Sequence, residues 1–435
     1  MMSVALLVAG SGCVRVRLPE IVVISGAAQP AMTWRRAVEL AVARHPDLQQ
    51  TRATLAAKRS HRNQALGAYV PSIDGTVSRT RSRTTASATV DALSLDLDVT
   101  QPLFTGFETT GEAMQAWREW EAAHWAYVER SADIRQTLRS AFVELLRSYE
   151  LLKVNQTIAA RRQGNAELIR LRYEAGREHE GSWRRAHAIA EQAAFDVRQI
   201  ERRIESQSLV LGRQLGGHFA VPLPVEGMLE AMFPSSAEPP TDYPALAERT
   251  PSVQRLMRIA EAQKAAILSS QAQLWPTVEG SFNYGRSGSD ASNLERDSKV
   301  GVTLSIPLFE GGQNVHGVLE SNAEYRAALE AARSARDGRV AELGERWAAF
   351  RDAWELVEVR RAFLEAARTR AEIVRAQYTT GLADFQDFDI AEQELTDAEK
   401  TYVHSLADVL AREADWIRTQ GGTLEAVLNE VADAE

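Results

Sequence analysis

Three short segments of this 435-residue chain recur at one fixed distance. Tyr69-Val70-Pro71-Ser72-Ile73 returns as Leu274-Trp275-Pro276-Thr277-Val278, and Gln101-Pro102-Leu103-Phe104-Thr105-Gly106 as Ile306-Pro307-Leu308-Phe309-Glu310-Gly311. Arg170-Leu171-Arg172-Tyr173-Glu174-Ala175-Gly176 returns as Arg375-Ala376-Gln377-Tyr378-Thr379-Thr380-Gly381. The separation is 205 residues each time. Solenoid repeats have periods of roughly 20–50 residues, so this is one long unit present twice. The chain divides accordingly into an N-terminal segment (1–32), a first copy (33–215), a linker (216–250), a second copy (251–420) and a tail (421–435). The linker holds the densest run of breakers, from Gly216 and Gly217 to Pro244, and reads as an ordered connection.

Within each copy the order of elements is helix, strand, strand, long helix, glycine reversal, helix. Thr33 is placed to cap the first helix. Pro71 and Pro276 end helices and open strands, because the residue before proline is pushed out of the helical region. Strands are expected at about 72–83, 90–101, 277–286 and 298–306. Leu93, Leu95, Leu97 and Val99 alternate with Ser94, Asp96, Asp98 and Thr100, and Val278, Phe282 and Tyr284 with Glu279, Ser281 and Asn283. This two-residue period gives one apolar and one polar face. Each strand is about 8–11 residues long, enough to cross a bilayer at a tilt.

Between about Thr109 and Glu174 there is no proline. Leu138, Phe142, Leu145, Tyr149 and Leu152 follow a 4-3 spacing, and Leu343, Trp347, Phe350, Trp354 and Val357 repeat it 205 residues on. Such a seam belongs to long helices packed nearly parallel. Gly176 and Gly381 mark reversals. After them Ile189-Ala190-Glu191-Gln192 matches Ile390-Ala391-Glu392-Gln393 at an offset of 201, so the first tip is expected to be four residues longer.

Composition narrows the function. The net charge is −9 and there is no basic stripe, which points away from nucleic acid. No stretch of about 18 apolar residues occurs, so no transmembrane helix is expected, which leaves a membrane β-barrel open. Cys13 follows an apolar, small-residue run. It reads as a lipid-attachment cysteine after a secretory signal, or as a free cysteine in an ordinary N-terminal segment. No nucleophile elbow, phosphate loop or paired metal motif is found, so an enzyme, a cofactor and a metal are not expected. The His179, Glu178, Glu180 and His187 group reads as a solvated helix face.

Four strands cannot close a membrane barrel, and lipid does not tolerate an open edge. Three copies would supply twelve strands enclosing a lumen. Asp96, Asp98, Glu279 and Asn283 would then face water, and Phe104 and Phe309 would sit in an aromatic belt. The Pro-Leu-Phe-x-Gly elements at 102–106 and 307–311 and the Tyr-x-x-Gly elements at 173–176 and 378–381, duplicated in order, resemble the TolC-like outer-membrane efflux protein family. The resemblance implies a mainly α chain with a membrane β-barrel portion. It implies a homotrimer with a 12-stranded barrel in the outer membrane of a Gram-negative bacterium, above a long periplasmic α-helical barrel. It further implies a periplasmic adaptor and an inner-membrane pump of the RND or ABC type as partners, or a type I secretion role.

The family closes its channel at the hairpin tips. By resemblance, Asp387, six residues after Gly381, matches an acidic gate position, with Asp384, Asp389 and Tyr378 beside it. The bland reading of the three aspartates is helix N-terminal acids stabilised by the dipole. Arg184 and Arg185 are expected either to latch the tip by pairing with Asp387 or to be solvated. The competing architectures are a non-channel coiled-coil scaffold, which leaves the four strands unexplained, and an adaptor protein, which has one hairpin rather than two.

Overall fold

A computed structural model describes residues 23–24, 31–82, 90–234, 238–290 and 292–432. Cys13 lies outside them. Elements follow the expected order, twice. The first copy holds α1 (Trp34–Arg44), α2 (Pro46–Gly67), β2 (Ser72–Ser82), β3 (Val90–Phe104), α3 (Glu108–Glu174) and α4 (Glu180–Gln214). The second opens with α5 (Tyr243–Arg249), which falls inside the expected linker and precedes α6 as α1 precedes α2. It goes on with α6 (Pro251–Ala272), β5 (Thr277–Gly288), β6 (Glu295–Ser305), α7 (Gln313–Thr380) and α8 (Phe385–Gln420), and α9 (Leu424–Ala432) follows. Short strands β1 (Val23–Ile24) and β4 (His218–Phe219) pair in parallel.

Thr33 caps α1 by accepting from the Arg36 amide. Pro46 and Pro251 each open a helix at its first turn, where a missing N–H costs nothing. At 67 and 68 residues, α3 and α7 are each about 100 Å long at 1.5 Å per residue. The loop before each helix turns in left-handed backbone, at Gly106 and Phe107 in the first copy and Gly311 and Gly312 in the second. Phe107 accepts an unfavourable φ of 76° while its ring packs edge-on against Phe104 and Trp275. Phe309, by contrast, is 87% exposed.

The helices form columns. α3 packs between α2 and α4 on one side and α6 and α8 on the other, and α7 packs on α6 and α8. α4 stops at Gly216 against the α1–α2 junction, where an added Cβ would lie 2.5 Å from the Arg44 carbonyl. α8 stops at Gly421 against Pro251 in the same way. Each return helix thus abuts the short helix of its own copy to make one long column. The core of the middle region buries Leu138, Phe142 and Leu145 with Leu343, Phe350 and Val357, as the seam required. Leu223 and Leu229 from the linker and Leu424 from α9 seal it.

The strands run β2-β3-β5-β6, all neighbours antiparallel. β3 is longer than its alternation indicated and carries a bulge between Pro102 and Phe104. Among the described residues the sheet is open: β2 and β6 are both edges.

The expected four-residue difference between the tips is not there. Helix starts at Glu180 and Phe385 differ by 205, as do the left-handed stops Gly216 and Gly421. The stacked pairs Tyr173–Trp183 and Tyr378–Phe388 also keep the offset. The Ile-Ala-Glu-Gln match is a coincidence of two helices rich in the same residues.

Candidate functional site: the hairpin tips and the polar sheet face

The tip is built by four helix ends. Gly176 and Gly381 take φ of 71° and 82°, a backbone that favours glycine, and so reverse the chain within a few residues. Tyr378, in the last turn of α7, is 1% exposed. Its ring stacks on Phe388 at 4.7 Å, and the Arg172 guanidinium lies 4.4 Å from its centroid on the other side. Arg172 also donates to the Tyr378 carbonyl at 2.7 Å. The Tyr378 hydroxyl donates to the Glu178 carboxylate at 2.8 Å, tying the first tip to the second. Burial, and then the bond to Glu178, push the Tyr378 phenol well above its ordinary value.

The aspartates have separate roles. Asp384 caps α8, accepting from the Asp387 amide at 2.8 Å, which is the helix-terminal role. Asp387 sits exposed in the first turn. Asp389 is buried and paired with Arg162 at 3.5 Å and with Arg185 at 2.7 Å. Arg184 and Arg185 therefore do not pair with Asp387: Arg184 pairs with Glu180 on its own helix, and Arg185 reaches Asp389. The i to i+4 spacing on α4 satisfies Arg184 locally, whereas Arg185, one residue on, projects across to α8. Of the His179 group, Glu178 is engaged by Tyr378 and Glu180 by Arg184.

Behind the tip lies an ionic cluster that the motif reading missed. Glu392 is 1% exposed and pairs with Arg161 at 3.0 Å and Arg375 at 3.1 Å. Arg161 continues to Glu399 at 2.9 Å, and Arg375 donates to Asn165. Burial draws the Arg162 guanidinium below its ordinary value. Burial acts on Arg161 in the same sense, but the Glu399 and Glu392 carboxylates override it and leave Arg161 raised. A signal for this cluster was in the sequence. Ser148, Leu151, Asn155, Ile158, Arg162, Asn165 and Ile169 keep a 3-4 spacing one position earlier than the Tyr149–Leu152 end of the first seam, and all are buried. Buried polar residues on such a seam require partners: Ser148 and Asn155 bond back to carbonyls of α3, while Arg162 and Asn165 meet Asp389 and Arg375 on the facing helices.

On the sheet, Asp96, Asp98, Glu279 and Asn283 lie on one face. Asn283 donates to Asp98 at 2.7 Å, and Asp96 overlies Gly285, where an added Cβ would meet its carboxylate at 2.6 Å. The register brings further charges to this face: Asp74 opposite Asp98, Lys299 opposite Asn283, and Asp297 opposite Gly285. Ile73, Val77, Val300, Val302 and Leu304 occupy the other face and are exposed.

Residues 37–217 and 243–419 match the family described as Outer membrane efflux protein. The chain belongs to this family. The outer membrane protein OprJ of Pseudomonas aeruginosa is 23% identical over 388 residues, which cover 82% of this chain and 79% of that protein. Among solved structures, CusC superposes with a TM-score of 0.82 at 14% identity, over 89% of this chain and 91% of that one. The open state of the MtrE outer membrane channel of Neisseria gonorrhoeae gives 0.81 at 16% identity, over 90% and 89%. VceC of Vibrio cholerae gives 0.77 at 21% identity, over 89% and 96%. As an outer membrane efflux protein, the chain is an efflux channel of the outer membrane, with its strands forming part of the barrel and its long helices extending into the periplasm.

Proposed function

We propose that three copies of this outer membrane efflux protein close into a duct that receives cargo from a periplasmic adaptor and an inner-membrane pump of the RND or ABC type. Channels of the family generally work as trimers with an adaptor and an inner-membrane pump. One observation carries the trimeric reading: the interface between the two copies of the repeat occurs once, and its counterpart is open. β3 pairs with β5 inside the chain, while β6 and β2, their counterparts 205 residues on and back, are free edges. The helices agree. Ile158 on α3 is 3% exposed, but its counterpart Phe363 on α7 is 62% exposed. Leu209 on α4 is 61% exposed, while its counterpart Ala414 on α8 is 1% exposed. A neighbouring copy covers both faces at once when its β2 and α4 lie on β6 and α7.

The register follows from the offset. Val99 pairs with Phe282, so Leu304 of one copy falls opposite Val77 of the next. In a Cys13→Ser background, Leu304→Cys with Val77→Cys should give a covalently closed trimer under mild oxidation. Moving one cysteine by two residues, to Val302, should not. No trimer with either pair rejects the reading.

At the periplasmic end, Asp387 forms the ring that meets the cargo, with Tyr378, Gly381, Asp384, Asp389, Arg184 and Arg185 setting the tip geometry around it. The Arg185–Asp389 link joins α4 to α8, the Tyr378–Glu178 link joins the end of α7 to the turn before α4, and both, within one chain, resist dilation. Asp96, Asp98, Glu279 and Asn283 line the lumen of the barrel. The alternative, a non-channel scaffold, gives the polar sheet face nothing to line.

A further inference from the structure

The apolar sheet face changes character at its far end. Val77, Leu95, Arg286 and Arg296 form one row across the four strands, with Arg286 directly opposite Arg296. The next rows hold Arg79 opposite Leu93 and Arg81 opposite Asp91. Arg81 is bonded to Asp91 at 2.6 Å. Arg79, Arg286 and Arg296 make no ion pair among the described residues. Like charges directly opposite on a sheet lie about 4.5–5.5 Å apart at Cβ and repel. Just below them on the same face are Tyr284, Phe282 and Val300, all exposed.

Height fixes what this row meets. Nine residues separate Thr277, at the helix end of β5, from Arg286. At about 3.3 Å per residue and a tilt of about 40°, this is about 23 Å, close to the ~25 Å apolar band of an outer-membrane barrel. The band starts at the aromatic cluster of Phe104, Phe107 and Trp275. The arginines therefore stand at the opposite boundary, away from the periplasmic helices. We propose that Arg286 and Arg296, supported by Arg79, bind the phosphate of a phosphorylated glycolipid in the outer leaflet, with its acyl chains along Tyr284, Phe282 and Val300. Arginine forks take phosphate oxygens in pairs, which turns the Arg286–Arg296 repulsion into a shared contact. A free phosphate would leave the apolar row below it uncovered, so an amphiphile fits the whole surface.

This inference rests on the outer-membrane barrel reading. The test is native mass spectrometry of the full-length protein in detergent. The probes are an acylated disaccharide bisphosphate, the same lipid without phosphate, and inorganic phosphate. The wild type should retain the phosphorylated lipid, and Arg286→Gln with Arg296→Gln should weaken retention about tenfold. Lys299→Gln, which removes a charge from the other face, should not. Should the double variant fail to assemble, the single Arg286→Gln on an inner strand carries the test. Undiminished retention in the arginine variants overturns the site, as does equal retention of the dephosphorylated lipid or displacement by inorganic phosphate. A wild type that gives no trimer rejects the underlying barrel reading, whereas a trimer without lipid rejects the site alone.

Discussion

Glu392 shows how much one buried carboxylate holds together at the tip. Itself almost fully buried, it pairs with Arg161 and with the half-exposed Arg375, from two helices. Glu392→Gln takes one carboxylate from Arg161, which keeps Glu399, and one from the solvent-reached Arg375, so the loss should be about 1–3 kcal/mol. A fall in thermal midpoint in detergent would register it. Arg184→Ala breaks only an exposed pair within one helix and should leave both the midpoint and the resting conductance unchanged. Arg185→Ala frees one side of Asp389 and should raise resting conductance in planar bilayers. Tyr378 adds a pH dependence. Its phenol is held above the ordinary 10, so its contribution is complete below about pH 10 and is lost as the pH rises through the higher folded value. Midpoints measured from pH 8 to 11 should fall more steeply for the wild type than for Tyr378→Phe. That Tyr378 and the aspartates gather at the tip was legible from their spacing around Gly381. Their partners were not, because Arg185 and Asp389 are 204 positions apart and meet only through the packing of α4 against α8.

The elements were the most legible part of the molecule. Prolines and glycines set their ends, and alternation and the 4-3 seam set their types, all without tertiary information. The error in tip length came from trusting a four-letter match inside a helix. Helix ends are fixed by caps and left-handed stops, and those had kept the 205-residue offset throughout. The stops themselves are testable. Gly421 combines a φ of 90° with a Pro251 ring atom 2.3 Å from where a Cβ would stand. Gly421→Ala should cost about 1–3 kcal/mol by denaturant unfolding. Gly164→Ala in α3, which meets nothing within 4 Å, should be neutral or slightly stabilising.

For the whole molecule, the polar sheet face predicts selectivity. Among the described residues, Asp74, Asp96, Asp98, Glu279, Glu295 and Asp297 share it with one cation, Lys299. A lumen so lined favours cations. Reversal potentials across a salt gradient should therefore show cation preference, reduced in Asp96→Asn with Asp98→Asn. The sequence predicted the four strands and the need for more, but the order β2-β3-β5-β6, which leaves one edge on each copy of the repeat, required the pairing itself. Those two edges have a consequence for biogenesis. A lone copy presents two rows of unpaired amide and carbonyl groups, which water can satisfy and hydrocarbon cannot. If three chains close the barrel, the single chain is expected to be a water-phase intermediate. Its strands can enter the bilayer only after or while its neighbours arrive, so the step that counts subunits is also the step that commits the protein to the membrane.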